Sequence, residues 1–301
     1  MKKIVFIVLL LVFGCVNKEV KVYEEINSVN NHNIVQIGDD IYYYSNEVLY
    51  HTNDLSNLKK NIIVENVKLS NLQSYDNKLF FICENDEKSQ IYFLNNNSIE
   101  LFELILDDGI KLSDYVSVKE FIFRLDDLLI LNEDTLFKIN LKNQGNALIE
   151  VDHVKSLHGF NSNYIVYSLN NNDVIKADMN NGFNMVVTNS GEMGDEPCYL
   201  INHTLILNRY FDDSYNGVYE FYLENDKNLK MFGDRILDIK ASDEKIYVLM
   251  EELGQVRLFN TDYNLHLFEQ SHYNQNLDVN SKLVYLDGLY ILNGDELFKV
   301  D

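Results

Sequence analysis

A turn followed by a short apolar strand recurs seven times in this chain, and the spacing of the copies constrains the fold more than any other feature. The copies run from Gly38, Tyr75, Leu125, Asn161, Ile201, Ser242 and Leu286. Their first apolar strand residues are Ile41, Leu79, Leu128, Ile165, Leu205, Ile246 and Leu289, separated by 38, 49, 37, 40, 41 and 43 residues. A mean near 41 is the period of a four-stranded unit in a radially repeating all-β architecture.

Each copy continues alike. A third strand follows, as in Val48-Leu49-Tyr50, Ile91-Tyr92-Phe93 and Val256-Arg257-Leu258, and then a fourth, as in Ile62-Ile63-Val64, Ile99-Glu100-Leu101-Phe102 and Leu265-His266-Leu267-Phe268. The second strands are almost continuously apolar, the pattern of strands covered on both faces. The outer strands alternate, as half-exposed strands do. With 46% hydrophobic residues the chain has ample material for a core. The seventh copy lacks a fourth strand because the sequence stops at Asp301, while Val20-Lys21-Val22-Tyr23 is a spare alternating strand near the other end. Pairing it antiparallel with Leu297–Val300 removes a free edge and joins the chain ends. The expected fold is therefore all-β: a seven-bladed β-propeller over 20–301, closed by its N-terminal strand, with six or eight blades and an open solenoid as alternatives.

The first residues read as a signal peptide over 1–14. Lys2 and Lys3 precede an apolar run from Ile4 to Phe13, which is too short to span a bilayer. The run ends in Val12-Phe13-Gly14-Cys15, which resembles the lipobox of bacterial lipoproteins. That resemblance implies cleavage before Cys15, lipidation of Cys15 and a short tether over 15–19. The domain would then sit close to a membrane, facing periplasm or exterior, since five residues reach at most roughly 17 Å. Cys83 and Cys198, the remaining cysteines, fall in different blades and read as buried free thiols.

The formal net charge is −22. Phosphate binding needs clustered lysine and arginine, so nucleic acid is excluded as a partner. An anionic membrane would repel the domain, leaving the lipid to hold it there. Glycine is scarce and asparagine runs are common, as at Asn95-Asn96-Asn97, so asparagine is expected at turn positions with φ above zero.

In a propeller, the links between blades and the second-to-third turns share one end of the strands. The long connections fall there: Glu103–Val118, Thr188–Pro197 and Glu269–Ser281, with enlarged hairpins at Glu84–Gln90 and Asn208–Gly217. The other end receives mostly tight turns. Function concentrates on long loops held by a rigid scaffold. The candidate binding residues are Tyr210, Phe211, Asp212, Asp213, Tyr215, Asp107, Asp108, Tyr115 and Tyr273, with Asp114, Glu192, Asp195 and Glu196 beside them. Aromatic loop tips suit protein contact, and surface insertion without function is the alternative.

Motifs for chemistry are weak. Asp212-Asp213-Ser214-Tyr215-Asn216-Gly217 partly matches a Ca²⁺ loop, but Leu223 stands where a bidentate glutamate is required, and an Asn-Gly hairpin explains these residues better. The seven histidines form no H-x-x-x-H pair, so no metal or other cofactor is expected. No G-x-S-x-G nucleophile motif occurs, and no catalytic residues are assigned.

The sequences Ile41-Tyr42-Tyr43 through Val48-Leu49-Tyr50 and Gly288-Leu289-Tyr290 through Leu297-Phe298-Lys299-Val300 resemble the degenerate quinoprotein-type (PQQ-like) repeat of bacterial β-propellers. The family's blade-end glycine and tryptophan are missing. The resemblance thus points to scaffold propellers, such as the lipoprotein subunit of the outer-membrane barrel-assembly machine, rather than to cofactor-binding quinoproteins. The expected function is a lipid-anchored, non-catalytic scaffold contacting another envelope protein through the long-loop end. The alternative is a propeller hydrolase acting on a glycan or lactone with carboxylates at the central channel.

Overall fold

The seven repeat anchors all lie in the second strand of a small antiparallel sheet. The computed structural model describes residues 33–300 except 86–87, 106–108, 110, 125, 143–144, 161–163, 172, 179–183, 189–197, 202–203, 212–213, 223–226, 233–234, 242–244, 263–268 and 272–276. Within them the strands form sheets over 34–65, 68–101, 118–151, 154–188, 198–232, 235–270 and 282–299, here numbered 1 to 7. In each sheet the strands lie side by side in chain order. Sheets 1 to 6 have four strands and sheet 7 has three.

The second strands are apolar at nearly every position because each of their faces packs against a different neighbour. In Lys78–Asn85, Leu79 and Phe81 join Leu49 of sheet 1, whereas Phe80 and Ile82 join Phe121, Leu128 and Ile130 of sheet 3. In Asp127–Asn132, Leu128 and Ile130 face sheet 2, while Leu129 and Leu131 face Leu157 and Tyr167 of sheet 4. All seven anchors are buried, the most exposed being Leu289 at 6%. Full burial of such a side chain contributes roughly 1.5–3 kcal/mol, so this row of strands carries much of the stability.

The packing order returns on itself. Val284, Leu286, Tyr290 and Leu292 of sheet 7 pack against Ile34, Ile41, Tyr43 and Leu58 of the sheet 1 region. Asp295 fastens the same junction. It accepts from Ser45 Oγ at 2.8 Å and from the Tyr43 hydroxyl, and pairs with Lys59 Nζ at 2.5 Å. These partners hold its carboxyl at about 2, well below the usual range.

Polar side chains clamp the inner strands together. The first strands of sheets 2, 3, 4 and 6 slip in register against their second strands, which disturbs the regular ladder. Asn71, at φ +52 within one slip, donates to Phe121 O of the next sheet at 3.1 Å. The Glu120 carboxylate accepts Leu157 N at 2.8 Å. Asn208 both donates to Ile236 O (2.7 Å) and accepts from Ile236 N (2.9 Å). Asp238 accepts Ile239 N at 2.9 Å and Leu283 N at 2.7 Å. Buried backbone groups are costly unless paired, and these side chains pair them across sheet boundaries.

Asparagine does occupy the left-handed turns. Asn46, Asn66, Asn77, Asn96 and Asn97 all have positive φ. Other expectations are adjusted. The enlarged hairpins are not loops: pairing runs to Asn85↔Lys88 in sheet 2 and to Phe211↔Ser214 in sheet 5, because the alternating residues there continue the ladders. Long connections are not confined to one end either, since 53–60 links the third and fourth strands of sheet 1, and Leu58 within it is pulled into the core. The fourth strand of sheet 6 is Glu269–Gln270, and Leu265–Phe268 lies outside the described residues. Cys83 is a free thiol, half-buried in sheet 2. Strand Glu296–Lys299 pairs on one side only among the described residues, and Val20–Tyr23 lies outside them. No helix of the described residues is long and apolar enough to cross a membrane.

Candidate functional site

The end of the sheets that receives the links between sheets and the second-to-third turns is assembled from three kinds of segment. The first is the link from sheet 2 to sheet 3. Leu112–Asp114 forms a single 3-10 turn there, and the Asp114 carboxylate accepts Lys111 N at 2.8 Å. Gln90 Nε2 donates to Ser113 O at 2.7 Å, and Ser89 N donates to Val116 O at 2.8 Å. Leu112 is buried and Tyr115 half-buried on the core between sheets 2 and 3, with the Tyr115 ring 4.8 Å from Phe137. Tyr115 is thus spent largely on packing, and Asp114 on its own turn. The apolar spacing of Leu104, Leu112 and Tyr115 carried that information in the sequence. Asp107 and Asp108 lie outside the described residues.

The second kind is the hairpin of sheet 5. Tyr210 pairs with Tyr215 and Phe211 with Ser214, so these candidates share one hairpin end, placed by backbone alone. Asp212 and Asp213 link the paired strands and lie outside the described residues, as do Glu192, Asp195, Glu196 and Tyr273. Ser214–Tyr222 is a strand rather than the open loop that the middle of a Ca²⁺ site of that pattern requires. Among the described residues no three His, Cys, Asp or Glu side chains gather as metal ligands.

The third kind was missed by the sequence reading. Three of the large exposed hydrophobic residues sit at this same end: Ile105 (57%), Val279 (52%) and Leu253 (91%). Leu253 and Gly254 form the two-residue turn between Ile246–Glu252 and Gln255–Thr261. Leu253 has φ +51, a conformation costing a branched side chain about 1 kcal/mol. A leucine where this chain elsewhere uses polar residues, such as Asn46 and Glu133, was the available signal.

Two buried ionisable groups lie on inner strands instead. His158 is 7% exposed and its Nε2 has no hydrogen-bond partner; burial, then Lys155, pushes its pKa down to about 4. Asp238 is fully buried, and burial pushes its carboxyl up to about 6 despite its two backbone donors. His153, by contrast, is in an exposed turn beside Asp134.

No protein-family model matches the chain, and no curated protein does. Among solved structures, the extracellular domain of BT4673 from B. thetaiotaomicron matches with TM-score 0.55 at 10% identity, over 89% of this chain. The chain spans only 38% of that domain. The computationally designed Ika8 protein matches with TM-score 0.54 at 11% identity, over 91% of this chain and 98% of Ika8. Hsv2 of Kluyveromyces lactis matches with TM-score 0.52 at 14% identity, over 87% and 90% of the two chains. At such identities the likeness is one of fold alone, and that fold is β-propeller-like.

Proposed function

We propose that this chain is a lipid-anchored envelope protein whose β-propeller serves as a non-catalytic, protein-binding scaffold. The observation that carries the reading is the position of Ile105, Leu253 and Val279, exposed aliphatic side chains at the end that also bears the Tyr210–Tyr215 hairpin. Exposed aliphatic groups at one end of a rigid fold suit a protein partner. An extracellular domain among the structural neighbours agrees with an envelope location.

The propeller has seven blades, and Val20–Tyr23 supplies the fourth strand of sheet 7. Strand Glu296–Lys299 runs away from the Gly294-Asp295 turn, so an antiparallel Val20 begins at the opposite end. The tether over 15–19 therefore leaves from the end away from Leu253, and the proposed binding end points outward from the membrane. The test combines Asp212→Lys and Asp213→Lys with Tyr210→Ala and Phe211→Ala. The fourfold variant should fold with unchanged circular dichroism and lose its partner in pull-downs from membranes. Partner capture that survives all four changes refutes this end as the interface.

A further inference from the structure

We propose that the inner wall formed by the first strands of the sheets binds a compact anion carrying several negative charges, of the polyphosphate or polycarboxylate class. The site is separate from the protein-binding end described above and needs no partner protein.

The first strand of one sheet lies beside the first strand of the next. Ile34–Ile37 adjoins Lys68–Tyr75, which adjoins Val118–Arg124, then Val154–Phe160, then Cys198–Ile201, and Arg235–Ala241 adjoins Lys282–Tyr285. The clamps from Asn71, Glu120 and Asp238 join strands of this same set. These strands therefore line the axis about which the sheets are arranged. A side chain exposed on them faces the space around that axis or its mouth.

In a chain of 47 acids and 25 lysines and arginines, these inner strands are cationic. Their described side chains include Lys68, Lys119, Lys155, Arg235, Lys240 and Lys282, against Glu120 and Asp238 among the acids. Both acids are engaged with backbone: Glu120 accepts Leu157 N, and Asp238, fully buried, accepts Ile239 N and Leu283 N. Lys68, Lys119, Lys155, Arg235 and Lys282 each hold the first or second position of their strand, at the end that receives the links, and all are exposed. Sheets 2, 3, 4, 6 and 7 thus contribute one cation apiece to the same mouth. Their strand neighbours Leu69, Val118, Val154, Ile236 and Leu283 fill the core, so the cations themselves have no packing duty. Like charges gathered round one axis repel, and an anion held among them relieves that repulsion.

The nearest acids stand one strand further out. Lys68 Nζ is 4.0 Å from Glu84 Oε2, with both side chains largely exposed, so that pair is weak. Glu251 lies opposite Arg235 in register, and Glu133 N donates to Ser117 O, two residues before Lys119. No ion pair among the described residues engages Lys119, Arg235 or Lys282. Lys240 and Lys282, from different sheets, both stand close enough to Asp238 to favour its ionised form, which places two cations together on the wall.

Charge and placement select the occupant. Because the cations come from separate strands, an anion that meets more than one of them must itself carry more than one charge. The rest of the chain is strongly acidic, so a nucleic acid, an anionic lipid surface or an acidic protein meets repulsion before it meets the wall. A small anion entering along the axis meets the cations first.

The test titrates tripolyphosphate, citrate and acetate into the full chain, held in a nonionic detergent without divalent cations, by calorimetry at about 50 mM salt. Tripolyphosphate or citrate should bind in one saturable step, and acetate should not. Whichever binds more tightly assigns the site to phosphate or carboxylate chemistry. Arg235→Gln combined with Lys282→Gln should weaken binding on the order of tenfold or more, with the melting temperature unchanged. Lys60→Gln combined with Lys88→Gln removes the same charge from exposed positions outside the inner strands and should leave binding unchanged. Should the inner double variant fail to fold, Lys119→Gln, which should also weaken binding, decides in its place. No saturable binding of either multivalent anion overturns the proposal, as does an equal loss in the inner and outer variants. A glutamate-rich peptide that displaces tripolyphosphate at lower concentration makes the wall a protein site and overturns it too.

Discussion

Replacing His158 with leucine should raise stability in mild acid and change its dependence on pH. The wild-type imidazole is buried on the first strand of sheet 4 with Nε2 unpaired, and its pKa falls from 6.5 to about 4. Between those values the unfolded chain binds a proton that the folded chain refuses. Stability from this group is therefore complete above pH 6.5 and is lost as pH falls toward 4. The loss amounts to roughly 3 kcal/mol over the window. Leucine removes that loss together with an unpaired polar atom, itself a cost of about 1–3 kcal/mol. Asp238 acts in the opposite sense. Its carboxyl is raised from 3.8 to about 6, so the folded chain takes up this proton first and gains stability as pH falls from 6 toward 3.8. In the wild type the two effects offset one another, and the Asp238 contribution should emerge once His158 is gone. Urea unfolding at pH 7.5, 6, 5 and 4.5 measures this through tyrosine emission, convenient in a chain with 20 tyrosines and no tryptophan. The Leu variant should hold or raise its urea midpoint on acidification. Midpoints that shift with pH in parallel in both proteins refute the argument.

Asp238→Asn should cost about 1–3 kcal/mol at neutral pH, because an amide oxygen and an amide nitrogen cannot both accept from Ile239 N and Leu283 N. It should also leave the acid loss from His158 uncompensated, steepening the decline of the urea midpoint below pH 6.5; a flat profile contradicts this. Cys15→Ser should move the protein from the membrane fraction to the soluble fraction and abolish cleavage before residue 15. Persistent membrane association in that variant refutes lipid anchoring.

The repeat was legible because its second strands are covered on both faces, which writes an unbroken apolar run into the sequence. Ile41, Leu79, Leu128, Ile165, Leu205, Ile246 and Leu289 all proved to be buried second-strand residues. The cross-sheet clamps were not legible. Asn71, Glu120 and Asp238 look like ordinary polar residues in strands, and only the register slips beside them reveal which backbone groups they satisfy. Aromatic loop residues suggested contact, but Tyr115 is drawn into the core because Leu104 and Leu112 fold the link down onto sheets 2 and 3. Leu253 escaped notice because hydrophobicity alone does not distinguish a strand residue from a turn residue. Its position was decided by the Glu252↔Gln255 pairing.

The alternation along each second strand has a consequence for how such a chain can drift. Phe80 meets Phe123 of sheet 3 at 4.7 Å between ring centroids, while its neighbour Phe81 answers to sheet 1. Odd and even positions of one strand thus belong to separate two-party contracts. A substitution at Phe80 calls for its compensating change in sheet 3, and one at Phe81 for a change in sheet 1. Neither reply need be heard elsewhere in the circle. Covariation in the lineage of this protein should therefore run between adjacent sheets and stop there, so that sequences wander far apart while each junction stays filled.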